Sequence, residues 1–430
     1  MNIPQLYHLF QQHPVITTDT RDCPKGSIFF ALHGVSFNGN DFAQQALDKG
    51  CAYAVVDSPS VVGDERIIHV EDSLKAMQEL ATYHRRQFRI PVIEVTGTNG
   101  KTTTKELMAT VLARKFNVLY TEANYNNHIG VPKTLLRLEK NHDIAIIETG
   151  ANHPGEIKTL ANIVEPTCGI ITNVGKAHLE GFGSFEGVIR TKGELYDYLR
   201  TRKDSFIFLH GGNEYLKPIS HGLKAFTYGE PGKGYDVEGE VLCCNPYLKM
   251  RWRKNGGEWN EVQTQLIGAY NVFNALAAAS AGIKFGVNED DISKAISEYR
   301  PTNNRSELLK TERNELIVDA YNANPTSMKA ALDNFALMKL PNKMAILGEM
   351  RELGSSSAEE HRQVVDEAEK TGCKEIWLVG ESFRPFSGKH RFFANESEVE
   401  NALRDNPLSG YLILIKGSNG TKLFKLPELL

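Results

Sequence analysis

The chain has 430 residues, too many for one ordinary core, so two or three domains are expected. Its 41% apolar and 24% charged content is that of a soluble globular protein. Lys and Arg number 49 against 53 Asp and Glu, a net charge of −4 with no basic block or acidic tail, which speaks against a nucleic-acid partner.

The opening stretch, Met1–Pro14, has no basic region followed by an apolar run, so no signal peptide is expected. No apolar run approaches the ~18 residues that span a bilayer. Six scattered cysteines without a C-x-x-C pair read as reduced thiols in the cytoplasm.

A first block, residues 1–88, carries short apolar strands at Ser27–Leu32, Ala52–Val56 and Arg66–Val70, then a helix over Asp72–Gln87. Its basic end and the following Pro91 mark a boundary. The second block, 89–300, alternates strand and helix: strand Ile90–Val95, helix Lys101–Lys115, strands Asp143–Glu148 and Cys168–Val174, helix Phe185–Arg200, strand Ser205–Leu209. Continuous apolar strands between helices predict a mostly parallel sheet covered on both faces. From about Ala225 to Leu266 the pattern becomes alternating, which predicts a small antiparallel insertion, and an Ala-rich helix follows over Ala269–Ile283.

The third block, 301–430, repeats the alternation. Strands Glu315–Asp319, Lys343–Leu347, Glu375–Val379 and Tyr411–Ile415 alternate with helices including Thr326–Lys339 and Ala358–Lys370. The expected fold class is therefore α/β in three domains: a small N-terminal domain, a central P-loop-type domain and a C-terminal Rossmann-like domain.

The strongest local signal is Val95-Thr-Gly-Thr-Asn-Gly-Lys-Thr-Thr103, where a strand turns through glycines into a helix that starts at lysine. Such a turn aims backbone N–H groups and a helix N-terminus at one point, which suits a polyphosphate. Gly97, Thr98, Asn99, Gly100, Lys101, Thr102 and Thr103 are the expected nucleotide contacts, with Lys101 on the β- and γ-phosphates and the Thr102 hydroxyl on Mg²⁺. The usual P-loop glycine six residues before the lysine is Val95 here.

Glu148 ends a parallel strand, where ligands bind in such sheets, and is placed to hold Mg²⁺; a solvated strand-end glutamate is the alternative. His178 lies in a Gly-flanked loop beyond the next strand, at the same sheet edge. Lys192 on the helix that follows would by default be a solvated lysine.

These segments resemble the Mur ligase family, the ATP-dependent amide-forming enzymes of peptidoglycan precursor synthesis, over essentially the whole chain. The Thr96–Thr103 turn is shared with the related folylpolyglutamate synthetases. Asn124–Pro132, Glu148–Ile157 and Asp319–Met328 are similar to the branch that adds D-alanyl-D-alanine to UDP-N-acetylmuramoyl-tripeptide, and Leu347–Gly354 and Lys416–Ser418 agree.

The resemblance implies a set of roles. Lys101, Glu148, His178 and Lys192 would be catalytic, and Lys192 would be carbamylated. Thr102, Glu148, His178 and carbamylated Lys192 would hold two Mg²⁺ ions beside ATP. Asn271 and Asn274 would lie near the adenine, and Arg305, Asp319 and Tyr321 near ribose and phosphates. Thr20, Arg21, Asn124, Asn126, Asn127 and Asn152 would contact substrate.

By the same resemblance, residues 1–88 would bind the UDP substrate and 89–300 ATP. Residues 301–430 would close over the nucleotide and take the incoming dipeptide. A monomer without membrane attachment is expected. One departure is Asn38-Gly39-Asn40, where the family usually has Asp-Gly-His. A switch-type NTPase, an inactive binding protein and a sibling ligase are the competing readings.

Overall fold

A computed structural model describes residues 1–301, 305–338 and 342–430; the expected helix end at Lys339 lies outside them. Three sheets follow one another along the chain, and each has its own apolar core.

The chain starts with a helix, Ile3–Gln12, that the alternating-strand reading passed over. Asn2 caps it: its side chain accepts from the Gln5 backbone, and the Gln5 side chain accepts from the Asn2 N–H at 3.1 Å. That reciprocal pair satisfies two N–H groups that the first helical turn leaves open. Four short strands then form an all-parallel sheet in chain order: β1 (Ile16–Thr17), β2 (Ile28–Phe30), β3 (Tyr53–Val56) and β4 (Ile67–His69). The helix Ser73–Arg85, capped by Asp72, packs this sheet against the next unit through Met77 and Leu80.

The central sheet has nine strands: β5 (Val92–Thr96), β6 (Val118–Tyr120), β7 (Ile144–Glu148), β8 (Cys168–Ile171), β9 (Phe206–His210), β10 (Lys224–Gly229), β11 (Val237–Cys244), β12 (Tyr247–Lys254) and β13 (Asn260–Ile267). Their order is β13-β12-β11-β10-β9-β8-β5-β7-β6. The strands that read as continuous apolar runs, β5, β7 and β8, are buried at every position because helices cover both faces. The antiparallel part, β11 to β13, extends the same sheet, since β10 pairs in parallel with both β9 and β11.

The helix Lys101–Leu112 lies against the Ala-rich helix Asn271–Phe285. Small residues bring the two close: a methyl group at Gly282 would stand 2.7 Å from Val111. Leu107, Val111 and Leu112 are fully buried there, each contributing about 1.5–3 kcal/mol to the core. This packing fixes the helix whose first turn forms the phosphate loop.

The last sheet runs β14-β15-β19-β16-β17-β18, with β14 (Glu307–Lys310) antiparallel and β15 (Glu315–Asp319), β16 (Lys343–Gly348), β17 (Glu375–Val379), β18 (Arg391–Phe393) and β19 (Leu412–Lys416) parallel. Among the described residues no helix is long and apolar enough to cross a membrane.

Candidate active site

One cavity of about 980 Å³ lies beyond the C-terminal ends of β5 and β7 and is walled on its far side by residues that follow β15 and end β19. Parallel sheets open their ligand crevices at this edge because the helix N-termini and loop amides gather there.

The phosphate loop forms its floor. Gly97 has φ +143° and Gly100 φ +75°; a methyl group at Gly97 would fall 2.0 Å from Thr172 Oγ1, and one at Gly100 2.7 Å from Asn274 Oδ1. Only glycine fits both the backbone angles and the space. Lys101 folds back over the loop, and its Nζ donates to the carbonyls of Gly97 (2.8 Å) and Thr98 (2.9 Å). Burial pushes its pKa down to about 8, against the opposing pull of Glu148.

Thr102 Oγ1 donates to Glu148 Oε2 at 2.9 Å, and Asn126 Nδ2 donates to Glu148 Oε1 at 2.9 Å. A hydroxyl and a carboxylate side by side are hard oxygen donors that suit Mg²⁺, which commonly takes one or two such ligands with substrate phosphates completing its shell. Among the described residues no group of three His, Cys, Asp or Glu could hold a metal alone. The donor set fits a cation shared with a polyphosphate.

Lys192 is 2% exposed, from the middle of the helix Phe185–Arg200. Its Nζ reaches only the Ala151 carbonyl, at 3.4 Å, and stands over the Phe182 ring. Burial, reinforced by the charge of Lys101, pushes its pKa down to about 7. A buried lysine without an adjacent carboxylate is held toward its neutral, nucleophilic form. His178 takes a left-handed backbone (φ 50°), and its pKa is lowered by burial against the pull of Glu352, which its Nδ1 contacts.

Thr104 Oγ1 and the Asn271–Asn274 pair tie the loop to the Ala-rich helix. Thr104 donates to Asn274 Oδ1 (3.1 Å), Asn274 to Asn271 Oδ1 (2.8 Å), and Asn271 to the Ile267 carbonyl (2.8 Å). Across the cavity the Arg305 guanidinium lies 3.9 Å over the Tyr321 ring. Asp319 Oδ2 accepts from Lys416 Nζ at 2.6 Å.

The third unit meets the central one directly over the loop. Asn324, which caps the helix Pro325–Leu337, also donates through Nδ2 to Asn99 Oδ1 at 2.8 Å. Lys176 Nζ pairs with Glu360 at 2.7 Å, and the Lys176 N–H donates to Thr326 Oγ1 at 3.2 Å.

Every residue expected at the nucleotide or metal lines this cavity, as do Asn124, Asn126, Asn127 and Asn152. Thr20 and Arg21 do not. They sit on a turn of the N-terminal unit where Arg21 pairs with Asp19 at 2.6 Å and Lys49 donates to the Thr20 carbonyl. Lys133 helps to hold the Asp19 carboxyl down to about 2, after the larger effect of Arg21.

Asn38-Gly39-Asn40 is an internal brace. Asn40 is 3% exposed, donates to Asp57 Oδ1 (2.8 Å) and accepts from the Asp57 and Ser58 N–H groups. His128, Tyr270, Asn322, Thr326 and Lys416 also line the cavity. His128, Asn322, Thr326 and Lys416 stand within the segments that carry the family resemblance, but none of the five had a role of its own from sequence; Lys416 had a further local signal, the basic residue ending an apolar strand.

The chain matches "Mur ligase family, catalytic domain" over residues 14–91, "Mur ligase middle domain" over 95–282, and "Mur ligase, glutamate ligase domain" over 304–419. It is 33% identical to the UDP-N-acetylmuramoyl-tripeptide–D-alanyl-D-alanine ligase of Bacillus subtilis, covering 95% of this chain and 91% of that one. The enzyme of that name from Escherichia coli is also 33% identical, with the same shares covered. Among solved structures, MurF from Acinetobacter baumannii superposes with a TM-score of 0.87 at 30% identity, covering 96% of this chain and 92% of that one. A MurF ligase from Thermotoga maritima in complex with ADP shares the fold at 23% identity, with a TM-score of 0.85 and 96% of each chain covered. With its phosphate loop, its buried lysine and its third unit all falling inside matched segments, the chain belongs to the Mur ligase family.

Proposed function

We propose that this protein is an ATP-dependent ligase that joins D-alanyl-D-alanine to UDP-N-acetylmuramoyl-tripeptide, giving the pentapeptide precursor of peptidoglycan with ADP and phosphate. The observation that carries the reading is one cavity in which a phosphate loop, Glu148 and buried Lys192 face Arg305, Asp319 and Tyr321 of another unit. The relatives that bear this activity in their names are aligned over nearly the whole chain.

In this reading the terminal carboxylate of the tripeptide attacks the γ-phosphorus of ATP, and ADP departs. The amine of the dipeptide then attacks the acyl carbonyl, loses a proton, and phosphate leaves. Both partners of the first step are anionic, so charge must be neutralised and the groups held in line. Lys101 exchanges its loop carbonyls for the β- and γ-phosphates. Thr102 and Glu148 would hold one Mg²⁺, and His178 with Lys192, once carbamylated, would hold a second. When bound, the ions supply charge neutralisation at the phosphoryl oxygens. Lys192 is suited to carbamylation because its amine is buried and held toward neutrality. Asn271 and Asn274 flank the adenine, Arg305, Asp319 and Tyr321 the ribose and phosphates, and Asn124, Asn126, Asn127 and Asn152 the peptide.

Residues 1–88 bind the UDP moiety, with Thr20 and Arg21 among its contacts. Residues 89–300 bind ATP, and 301–430 exclude water from the acyl phosphate and take the dipeptide. A cytoplasmic monomer completes the proposal. The test is ADP release by purified protein with UDP-N-acetylmuramoyl-tripeptide, with and without D-alanyl-D-alanine, in bicarbonate buffer, with mass detection of the pentapeptide. Product that requires both substrates supports the reading; ADP release indifferent to both overturns it.

A further inference from the structure

We infer that Glu352, carried by the third unit, is a positioning residue that orients the His178 imidazole for metal binding, so that docking of that unit completes the second ion site. The inference rests on the proposed role of His178 as a ligand. It deepens that role by assigning the partner that prepares it.

The geometry is direct. His178 lines the cavity, and its Nδ1 contacts the Glu352 carboxylate. A carboxylate at this distance accepts, so Nδ1 carries the proton and Nε2 keeps the lone pair that a cation requires. Among the described residues Nε2 makes no hydrogen bond. His178 lines the same cavity as Lys101 and Lys192, the two lysines of the proposed centre. Histidine ligands generally donate their second N–H to a carboxylate or carbonyl, which fixes tautomer and ring angle.

Here that carboxylate comes from another sheet. Glu352 follows β16 in a tight loop with φ 61°, next to Gly354 at φ 54°. The Glu352 carbonyl also accepts from the Glu180 N–H at 3.2 Å, and a methyl group at Gly354 would stand 3.5 Å from the Glu180 Cβ. The loop therefore holds the start of the short turn Leu179–Phe182, at His178 and at Glu180. A chance surface ion pair would not bring backbone contacts with it. If the third unit moved away, His178 would lose its acceptor, while the Thr102–Glu148 hydrogen bond, within the central unit, would remain.

The experiment is Mn²⁺ binding to the full chain, followed by electron paramagnetic resonance with a non-hydrolysable ATP analogue present in bicarbonate buffer. Glu352→Ala should weaken one Mn²⁺ site by about 10–100-fold and leave the other unchanged. Glu352→Gln, which still offers a carbonyl oxygen to Nδ1–H, should recover most of that loss. Equal weakening of both sites, no weakening, or a Gln variant as impaired as Ala overturns the inference. His178→Ala separates this from the reading beneath it. If His178→Ala weakens one site and Glu352→Ala does not, only the positioning role fails. If neither variant changes Mn²⁺ binding, the ligand role of His178 fails as well.

Discussion

Asp319 and Lys416 stand opposite each other in register at the ends of β15 and β19, and their side chains meet at 2.6 Å with Lys416 only 1% exposed. A lysine buried this deeply is tolerable because the carboxylate and the Asn322 carbonyl, at 3.4 Å, share its charge. The pair also fixes the Asp319 carboxylate at the cavity wall.

Removing one partner leaves an uncompensated buried charge. Asp319→Leu, which strands the buried Lys416, should therefore destabilise the chain by about 3–5 kcal/mol, and the double variant Lys416→Met/Asp319→Leu should be less destabilised than the sum of its parts. Denaturant unfolding of the two single variants and the double checks this, and strict additivity would count against a coupled pair.

Gly100→Ala should weaken ATP binding by about tenfold or more, since the left-handed backbone alone costs an alanine about 1–2 kcal/mol and the methyl group also meets Asn274. Relieving the contact with Asn274→Ala should restore little, because the backbone strain remains. Calorimetric titration with ATP reads both.

Glu148→Gln keeps an oxygen for Thr102 and loses the negative charge. Turnover should fall by about 100-fold or more, with a raised Mg²⁺ requirement and a melting temperature close to that of the parent. A variant with unchanged Mg²⁺ dependence would remove Glu148 from the ion site.

Carbon dioxide reacts with a neutral amine. With Lys192 brought down to about 7, its neutral fraction falls steeply as pH drops below that value. Ligase activity at limiting bicarbonate should decline from about pH 8 to about pH 6, and added bicarbonate should shift the decline to lower pH. An activity profile indifferent to bicarbonate at every pH would argue against the carbamate.

Glu94, fully buried in β5, is pushed up to about 8 by burial; it accepts from Thr149 at 2.8 Å, and its other oxygen has no partner among the described residues. Its folded pKa lies above that of an unfolded glutamate, so the folded state holds the extra proton between the two values. Its contribution is intact below about pH 4 and is lost as pH rises toward about 8. Glu94→Gln should flatten that decline and gain about 1–3 kcal/mol over the parent at pH 8. Parallel thermal melts at the two pH values decide it.

The residues that were legible share a physical cause. Val95 to Thr103 announces itself because a strand, two glycines and a lysine-led helix must occur together, and Glu148 because strand ends in parallel sheets face ligands. Lys192 has no such local mark. Its burial, with no ion pair among the described residues, arises only when its helix packs beside Ala151 and Phe182. The contacts of Asn324 and Glu352 join residues 225 and 174 positions apart, beyond any periodicity. The bracing role of Asn40 was likewise unmarked, because its partners Asp57 and Ser58 lie on another strand end. The N-terminal helix was passed over although Asn2 and Gln5 carry a capping signature, because Pro4 and a short amphipathic stretch drew no notice.

β13 ends with two neighbours that face opposite ways. Leu266 packs into the central core and Ile267 into that of the third unit, as alternation along a strand requires. The next turn of chain delivers Asn271, whose side chain returns to the Ile267 carbonyl. The third unit thus rests its foot on the segment that leads into the Asn271–Asn274 pair. Ile267 joins the core of the third unit to the chain of hydrogen bonds that runs from its carbonyl through Asn271 and Asn274 to Thr104, on the helix behind the loop.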